Sequence, residues 1–265
     1  MTVRDGLRGL SAGIVAGTAG GLFGVGGGLA LVPMLTGFFR LSQHEAHGTS
    51  LAVIGATALA ALAVYGGHAN VVWTTAAIVG LGSLVTARLG ARWASRISAR
   101  GLRRAFAVFM GVVALRLLWQ APAVTDQSGL LSATGIAASL LLGLAAGALA
   151  GFMGVGGGII MVPVFTLVFG MSQQAAQGTS LAVILVTAPS AALEHSRHGN
   201  VAWRLVPMLA LGAALVAPLA SWAAQGLPHA WLVRGFAAFL LATGLHTWTK
   251  AARSLAPPVS LDRGR

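Results

Sequence analysis

The sequence predicts an all-α, multi-pass membrane protein made of two inverted repeats, each with a glycine-broken re-entrant helix pair and three transmembrane helices. Three observations support this fold class. Of the 265 residues, 56% are hydrophobic and only 8% are charged, a balance that excludes an ordinary soluble domain. The second half of the chain repeats the first. The basic residues collect on one side of a membrane only if the two halves are inverted.

The predicted spans follow the apolar stretches, each close to the roughly 20 residues that a helix needs to cross a bilayer. They lie at residues 46–66, 73–97, 102–119, 181–194, 205–225 and 232–248. Two further apolar tracts hold runs of glycine and are predicted to form broken helix pairs, at residues 7–23 and 29–39 in the first half. Arg4 and Arg8 precede the apolar residues 10–22 of the first tract, a pattern similar to a signal peptide. Its copy at residues 140–153 favours a helix that is retained.

An alignment of the chain with itself, offset by the 130 residues between Gly24 and Gly154, superimposes the two halves without a gap. The shared motifs are Gly-Val-Gly-Gly-Gly at 24–28 and 154–158, Gly-Thr-Ser-Leu-Ala-Val-Ile at 48–54 and 178–184, and His-x-Asn-Val-x-Trp at 68–73 and 198–203. The predicted organisation is repeat 1 at 1–119, a linker at 120–133 with Pro122, Asp126 and Gly129, repeat 2 at 134–250 and a cytoplasmic tail at 251–265. All four segments belong to one integral membrane domain.

The distribution of positive charge decides between two topologies. If each broken pair is re-entrant, each repeat crosses three times, and 15 of the 17 Lys and Arg residues lie on one side, with only Arg116 and Arg234 opposite. If each pair crosses instead, the same residues divide 8 against 9. Because basic residues collect on the cytoplasmic side, the inverted arrangement is preferred, with both termini in the cytoplasm.

The formal charge of +12 does not indicate a nucleic-acid-binding protein. The basic residues lie between apolar spans, without the interleaved aromatic residues and the soluble face that such binding needs. The absence of cysteine excludes disulfides and thiolate metal sites. His44 and His47 have the spacing of metal ligands on a helix, but their copies are Gln174 and Gln177. No metal site and no cofactor are therefore predicted.

The two glycine runs are the first candidate binding site. Irregular backbone survives inside a membrane only where protein buries it or where it lines a cavity. Each run ends where a second half-helix begins, and the unpaired N–H groups of a helix N-terminus attract an anion. The predicted anion ligands are Gly26, Gly27, Gly28, Gly156, Gly157 and Gly158. The alternative is that these glycines only permit close packing, the interpretation given to Gly13-x-x-x-Gly17 and Gly143-x-x-x-Gly147.

The repeated Gly-Thr-Ser triplets are the second candidate. They are predicted to open a long span in each repeat, and their hydroxyl-bearing residues are Thr49, Ser50, Thr179 and Ser180. These residues either cap the helix or donate hydrogen bonds to an oxyanion, and one residue can do both. With the glycine runs they would form a polar ring around an anion bound between the two helix breaks.

A further set of residues is predicted to act as a gate or as accessory ligands. These residues are His47, Gln177, His68, Asn70, His198, Asn200 and Arg88. The first two each precede a Gly-Thr-Ser triplet and could donate to the substrate. The two His-x-Asn pairs lie between spans, where a turn stabilised by asparagine competes with a gate or a proton relay. Arg88 is the deepest of four arginines spaced every four residues. This spacing predicts a stripe that faces lipid headgroups, and the alternative role of Arg88 is to attract anions.

The doubled motifs resemble those of the sulfite exporter TauE/SafE family, also called the toluene sulfonate uptake permeases. The resemblance rests on the glycine run with its following Val-Pro, on Gly-Thr-Ser-Leu-Ala-Val-Ile and on His-x-Asn-Val-x-Trp, and it covers nearly the whole chain. It implies a membrane permease for sulfur-containing anions such as sulfite, sulfoacetate or other sulfonates. The substrate itself is not implied, because the family is broad.

The predicted function is a secondary transporter or exporter of sulfur-containing anions in a bacterial inner membrane. Its expected partners are a small anion and the lipid bilayer, and a homo-oligomer is left open. No carboxylate lies in the interior of a span, so a Na⁺ site or an acidic proton relay is not expected. The membrane potential alone would then drive anion export. The alternatives are an anion channel of the same fold or a permease for carboxylates or other small anions. An enzyme is not predicted, because no nucleophile with a base and no metal cluster recurs.

Overall fold

The computed structural model describes residues 3–93, 99–119, 124 and 131–253. Within these residues the chain forms helices and no strand, which confirms the predicted all-α class. The helices, in chain order, are α1 (Val3–Phe23), α2 (Gly28–Gly37), α3 (Gln43–Gly67), α4 (Trp73–Trp93), α5 (Ala99–Trp119), α6 (Ala133–Met153), α7 (Gly158–Leu167), α8 (Gln173–Arg197), α9 (Val206–Gly226) and α10 (His229–Arg253). Pro122, Asp126 and Gly129 of the predicted linker and residues 254–265 of the predicted tail lie outside the described residues.

The helices form two compact units, which do not coincide with the two sequence repeats. The first unit joins residues 1–96 to residues 122–232 and holds α1–α4 and α6–α9. The second unit holds α5 and the part of α10 after Leu232. In the second unit α10 packs on α5 through Gly244, where a Cβ atom would lie 3.4 Å from the Ala107 carbonyl oxygen and from Met110 Cβ.

Five of the described helices are long and apolar enough to cross a membrane, namely α3, α4, α6, α8 and α9. The sequence predicts six spans, which include α5 and α10 but not α6. Helix α6 has 21 residues and is therefore about 31 Å long. It is long enough to extend past the middle of a bilayer. The sequence assigns it to a broken pair. Length and composition therefore support a multi-pass membrane protein.

The helices α3 and α8 begin at serine caps, ahead of the Gly-Thr-Ser triplets. The Ser42 hydroxyl accepts a hydrogen bond from Glu45 N, and the Glu45 carboxylate accepts one from Ser42 N, which makes a capping box. Ser172 caps α8 by accepting a hydrogen bond from Ala175 N. Because these caps lie about two turns upstream, the prediction of a helix start is wrong for Thr49, Ser50, Thr179 and Ser180.

The equivalent helices α3 and α8 pack against each other in opposite directions. A Cβ atom on Gly48, near the start of α3, would lie 2.8 Å from Cβ of His195, near the end of α8. A Cβ atom on Gly178, near the start of α8, would lie 3.0 Å from Cβ of Tyr65, near the end of α3. Each start meets the other helix's end, so the two helices run antiparallel.

Small residues allow two further helix pairs to pack closely across the repeats. Helix α1 packs on α9, where Cβ atoms on Gly13 and Gly17 would lie 2.2 Å and 2.4 Å from backbone oxygens of α9. Helix α6 packs on α4, where Cβ atoms on Gly143 and Gly147 would each lie 2.3 Å from a backbone oxygen of α4. No side chain fits at these points, so the packing interpretation of both Gly-x-x-x-Gly pairs is confirmed.

A left-handed turn separates α1 from α2, and an equivalent turn separates α6 from α7. Gly24, Gly26 and Gly27 have φ angles of 66°, 72° and 82°. Their copies at 154, 156 and 157 have φ angles of 69°, 82° and 79°. Residues with a side chain rarely adopt this conformation, whereas glycine does so at little cost. The backbone of the turn therefore requires glycine at three of its five positions.

After the first glycine turn, α2 runs back beside α1. Ala12 and Ala16 of α1 share a buried cluster with Leu31 and Leu35 of α2. A single cavity is lined by residues from the first half of α1 and by residues from the end of α2 and the loop that follows it. The end of α2 thus returns to the side on which α1 begins.

Candidate functional site

The two glycine turns meet beside the midpoints of α3 and α8. Ile54 lies next to the middle of the 25 residues of α3. Its Cγ2 atom is 2.6 Å from the Cβ position of Gly26 and 3.3 Å from that of Gly156. Ile184, the copy of Ile54 on α8, approaches the same two Cβ positions to 3.5 Å. Both helix breaks therefore lie about halfway along these helices.

The two turns also touch each other. A Cβ atom on Gly28 would lie 2.9 Å from Val155 Cα, and one on Gly158 would lie 2.7 Å from Val25 Cα. A side chain at either position would push the turns apart. The structure therefore gives Gly28 and Gly158 a packing role. Helices α2 and α7 start at this contact, and their first N–H groups have no partner within the helix.

Each glycine turn faces the long helix of the other repeat. A Cβ atom on Gly24 would lie 2.5 Å from Gln177 Cα on α8, and one on Gly154 would lie 2.5 Å from His47 Cα on α3. The predicted accessory residues His47 and Gln177 thus lie at the turns. The structure brings each Gly-Thr-Ser triplet to the turn of the opposite repeat.

Two buried serine hydroxyls lie close to these contacts. Ser180 follows Gln177 by one helical turn and Ser50 follows His47 by one turn, so each serine shares the helix face that borders a glycine turn. Both serines are fully buried, and neither hydroxyl has a hydrogen-bond partner in the described part of the chain. The same holds for Nε2 of Gln177. Because buried polar groups are normally paired, these atoms indicate a place for a ligand or a water molecule.

These groups define two half-sites. Half-site 1 consists of residues 24–28, Gln177 and Ser180, and half-site 2 consists of residues 154–158, His47 and Ser50. Each half-site combines a glycine turn and a helix start from one repeat with polar side chains from the other.

Two ring side chains that the sequence analysis missed complete the half-sites. The hydroxyl of the fully buried Tyr65 lies 2.9 Å from the Gly21 carbonyl oxygen and 2.8 Å from Oε1 of Gln177. His195 is the copy of Tyr65 and is 2% exposed, and its Nε2 lies 2.9 Å from the Gly151 carbonyl oxygen. Since the two glycines are also equivalent, the tyrosine and the histidine make the same contact. The available signal was that Tyr65 is the only tyrosine in the chain.

The two threonines of the triplets hold connecting loops. Oγ1 of Thr49 accepts a hydrogen bond of 2.9 Å from Ala202 N, and Oγ1 of Thr179 accepts one of 3.0 Å from Val72 N. The α8–α9 connection is thereby fixed to α3, and the α3–α4 connection to α8. This positioning role differs from the predicted contact with an anion.

Asn70 and Asn200 lie in the same connections and press against the long helices. A Cβ atom on Gly178 would lie 2.0 Å from the Asn70 carbonyl oxygen, and one on Gly48 would lie 2.1 Å from that of Asn200. The Asn70 side chain donates a hydrogen bond to Oε1 of Gln225 at the end of α9. The two asparagines are therefore built into the packing of the loops.

His68 and His198 lie at the C-terminal ends of α3 and α8. In each ring Nδ1 lies 2.8 Å from the carbonyl oxygen four residues earlier, that of Val64 or Glu194. Both histidines are C-cap residues. They lie at the helix ends, three residues after Tyr65 and His195.

Arg88 and its neighbour on the same face pack against α8. Nε of Arg88 donates a 3.0 Å hydrogen bond to Ser190, and Nε of Arg92 lies 2.7 Å from the carboxylate of Glu194. Arg197 pairs with the other oxygen of that carboxylate at 3.2 Å. Arg88 and Arg92 therefore contact a neighbouring helix, whereas Arg96 lies outside the described residues and the contact of the stripe with lipid headgroups stays a prediction.

A basic cavity of about 840 Å³ lies where α1 begins and α2 ends. Arg8, Arg40 and Arg204 line it together with Asp5, and none of the copies of the three arginines is charged. Arg40 has a φ of 53°, whereas its copy Gly170 has 65°. The chain thus holds an arginine where the backbone favours glycine.

We expect Arg40→Gly to raise the free energy of unfolding by about 1 kcal/mol, because it relieves the left-handed strain. Thermal unfolding in detergent measures this effect. A variant that is less stable than the wild type would contradict the assignment of strain, and Ala69→Gly, at φ 55° outside the cavity, is the control for stability alone.

The family model described as sulfite exporter TauE/SafE matches residues 2–117 and 134–263. The chain belongs to the sulfite exporter TauE/SafE family. The resemblance inferred from the doubled motifs is therefore confirmed. Each matched range contains one glycine turn and one Gly-Thr-Ser triplet.

Curated relatives of this TauE/SafE chain are named as membrane transporters. The chain is 29% identical to the probable membrane transporter protein YunE of Bacillus subtilis over 227 residues, which cover 76% of this chain and 82% of the relative. It is 30% identical to a probable membrane transporter protein of Xylella fastidiosa over 217 residues, 80% of this chain and 82% of the relative. No solved structure matches the chain at a significant level. The comparisons place this TauE/SafE chain among membrane transporters.

Proposed function

We propose that the protein is a secondary transporter of small sulfur-containing oxyanions, such as sulfite or organosulfonates. The observation that carries this proposal is the pair of buried hydroxyls of Ser50 and Ser180, which lie beside two helix starts and have no hydrogen-bond partner among the described residues. Hydroxyl donors and helix N-termini are suited to an oxyanion. Membership of the TauE/SafE family supports transport as the activity.

In the proposed cycle the anion occupies the half-sites and the glycine turns form the barrier. The turns touch at Gly28 and Gly158, so they must separate before an anion can pass. Since each turn contacts the long helix of the other repeat, a rocking movement of the repeats would open one half-site and close the other. Glycine turns at the midplane between repeats recur in secondary transporters.

The proposed membrane arrangement is two inverted repeats with re-entrant helix pairs. The antiparallel packing of the equivalent helices α3 and α8 supports the inversion. The return of α2 along α1, and the position of the turn at the middle of α3, support a pair that enters and leaves on the same side.

The end of the first unit at which α3 begins is proposed to face the cytoplasm of a bacterial cell. The described arginine side chains of this unit all lie towards that end, and they are Arg8, Arg40, Arg88, Arg92, Arg197 and Arg204. Basic residues favour the cytoplasmic side. The basic cavity at this end is the proposed entry for the anion, because clustered positive charge raises the local anion concentration.

Anion binding to the purified protein tests the proposal. We expect isothermal titration calorimetry to detect binding of sulfite or methanesulfonate to the wild type. The double variant Ser50→Ala, Ser180→Ala is expected to bind the anion about tenfold or more weakly, because two hydrogen bonds to a charged ligand are lost. Ser139→Ala is the matched control, since Ser139 on α6 is also buried and its hydroxyl also has no hydrogen-bond partner within the described ranges. Failure to bind any sulfur oxyanion, or equal binding by the double variant, would contradict the proposed function.

Measurements on the same purified protein distinguish the alternative functions. Single-channel currents that do not saturate with anion concentration would identify an anion channel. Tighter binding of acetate than of methanesulfonate would identify a carboxylate permease. Saturable, slow flux with a preference for sulfur oxyanions supports the transporter.

A further inference from the structure

The two half-sites differ in the groups that can carry a proton. Half-site 1 is completed by Tyr65 and Gln177, which stay neutral near pH 7. The equivalent positions of half-site 2 hold His195 and His47. The tyrosine and His195 make the same contact with equivalent glycine carbonyls, each at 2.9 Å. A pair of neutral groups in half-site 1 is therefore replaced by a pair of titratable rings in half-site 2.

We propose that half-site 2 binds a proton together with the anion, so that the protein is a proton–anion cotransporter. This inference rests on the proposed function, because it assigns a second, cationic ligand to the same site. It also replaces the expectation that the membrane potential alone drives export. That expectation rested on the absence of carboxylates from the interior of the spans, whereas the structure buries the imidazoles of His47 and His195 at the site.

The contact of His195 determines which nitrogen takes the proton. The Gly151 carbonyl oxygen can only accept, so Nε2 of His195 carries a hydrogen and donates it over 2.9 Å. Nδ1 is then the nitrogen that can bind a second proton. The resulting imidazolium would be 2% exposed, and a buried charge requires a counter-charge. A bound oxyanion supplies that counter-charge, so proton and anion each strengthen the binding of the other.

The groups that act on His195 are His44 of α3, Glu194 and His198 of α8, and the Gly151 carbonyl oxygen of α6. His47 directly precedes Gly48, whose Cβ position lies 2.8 Å from His195 Cβ. Arg92 of α4 and Arg197 of α8 contact Glu194. The carboxylate of Glu194 is already bound by two arginines, at 2.7 Å and 3.2 Å, so it is not an unmatched counter-charge for the imidazolium. Near Tyr65 this ion pair has no equivalent, because Val64 stands at the position equivalent to Glu194 and Trp222 at the position equivalent to Arg92.

The proposed step balances in charge and atoms. A proton from the aqueous phase on one side binds Nδ1 of His195 as the anion enters half-site 2. When the turns part toward the other side, the anion leaves and the proton returns to water there. One proton and one anion cross together, and His195 is regenerated.

Transport of methanesulfonate by the protein in proteoliposomes tests the proposal. Methanesulfonate is the anion of a strong acid, so any proton that moves with it is carried by the protein. With valinomycin and equal potassium holding the membrane potential at zero, a gradient of one pH unit, alkaline inside, is expected to accumulate the anion about tenfold, because one pH unit is a tenfold proton ratio. A pH indicator trapped in the vesicles should report about one proton per anion.

The double variant His47→Gln, His195→Tyr gives half-site 2 the residues of half-site 1. We expect the number of protons moved per anion to fall from about one toward zero, whatever the remaining transport rate. His246→Gln removes an exposed histidine of α10 and should leave the ratio unchanged. If the double variant does not fold, the single variant His195→Gln serves the same purpose.

Two results would overturn the inference, and they are distinguishable. Accumulation of methanesulfonate by the wild type in response to membrane potential but not to a pH gradient would remove proton coupling and leave the proposed function standing. No binding or transport of any sulfur oxyanion would remove both.

Discussion

Replacing Gly27 by alanine is expected to lower the free energy of unfolding by about 3 kcal/mol or more, whereas the same change at its copy Gly157 is expected to cost about 1–2 kcal/mol. Both backbones are left-handed, with φ angles of 82° and 79°, so both variants are strained. The difference lies in packing, because the new Cβ atom would stand 2.1 Å from the Ala16 carbonyl oxygen in the first repeat and 2.8 Å from that of Ala146 in the second.

Melting of the detergent-purified protein, followed by the fluorescence of its seven tryptophans, measures this difference. Gly37→Ala is the control, because Gly37 has no other heavy atom within 4 Å of its Cβ position, and its variant should melt within a degree or two of the wild type. Equal losses at Gly27 and Gly157 would show that backbone strain alone governs the turns.

Alanine at Gly178 or at Gly48 is expected to displace a connecting loop. The free energy of unfolding should fall by about 3 kcal/mol or more. The new Cβ atoms would stand 2.0 Å and 2.1 Å from the backbone oxygens of Asn70 and Asn200. Backbone atoms cannot rotate away as the end of a flexible side chain can. The hydrogen bonds that Thr179 and Thr49 accept from the same loops would be lost with them.

The yield of monodisperse protein on size exclusion, and the rate of proteolysis in the loops at 68–72 and 198–202, measure this displacement. Gly66→Ala is the matched control, because Gly66 lies on the same helix as Gly48. The new Cβ atom would lie 3.9 Å from the Trp73 ring, which is an ordinary contact distance. Normal yield and unchanged proteolysis for both variants would contradict the docking of the loops.

The fold was predictable wherever a local signal decides it. The breaks at the glycine runs follow from the backbone freedom that those residues alone have, and the predicted half-helix ends at residue 23 as α1 does. The starts of α3 and α8 were placed too late, because hydrophobicity was followed and the serine caps Ser42 and Ser172 were not. The second glycine-bearing tract was predicted to begin at residue 140, whereas α6 begins at Ala133, so a helix of 21 residues that is long and apolar enough to cross a membrane was missed.

The candidate site was predictable only in part, because its pairing is non-local. The glycine turns and the Gly-Thr-Ser triplets stand out as identical copies, but the antiparallel packing of α3 and α8 decides that each turn meets the triplet of the other repeat. Tyr65 and His195 escaped notice for a physical reason. They occupy equivalent places yet differ in chemistry, so a search for identical positions passes over them.

The exchange of helices between the repeats makes neither half self-sufficient. The closest neighbour of α1 is α9, and that of α4 is α6, so a polypeptide that ended in the linker would leave two glycine-lined grooves empty. Each repeat therefore supplies the helix that fills a groove of the other, and either repeat expressed alone would lack the packing partner of its glycine-lined helix.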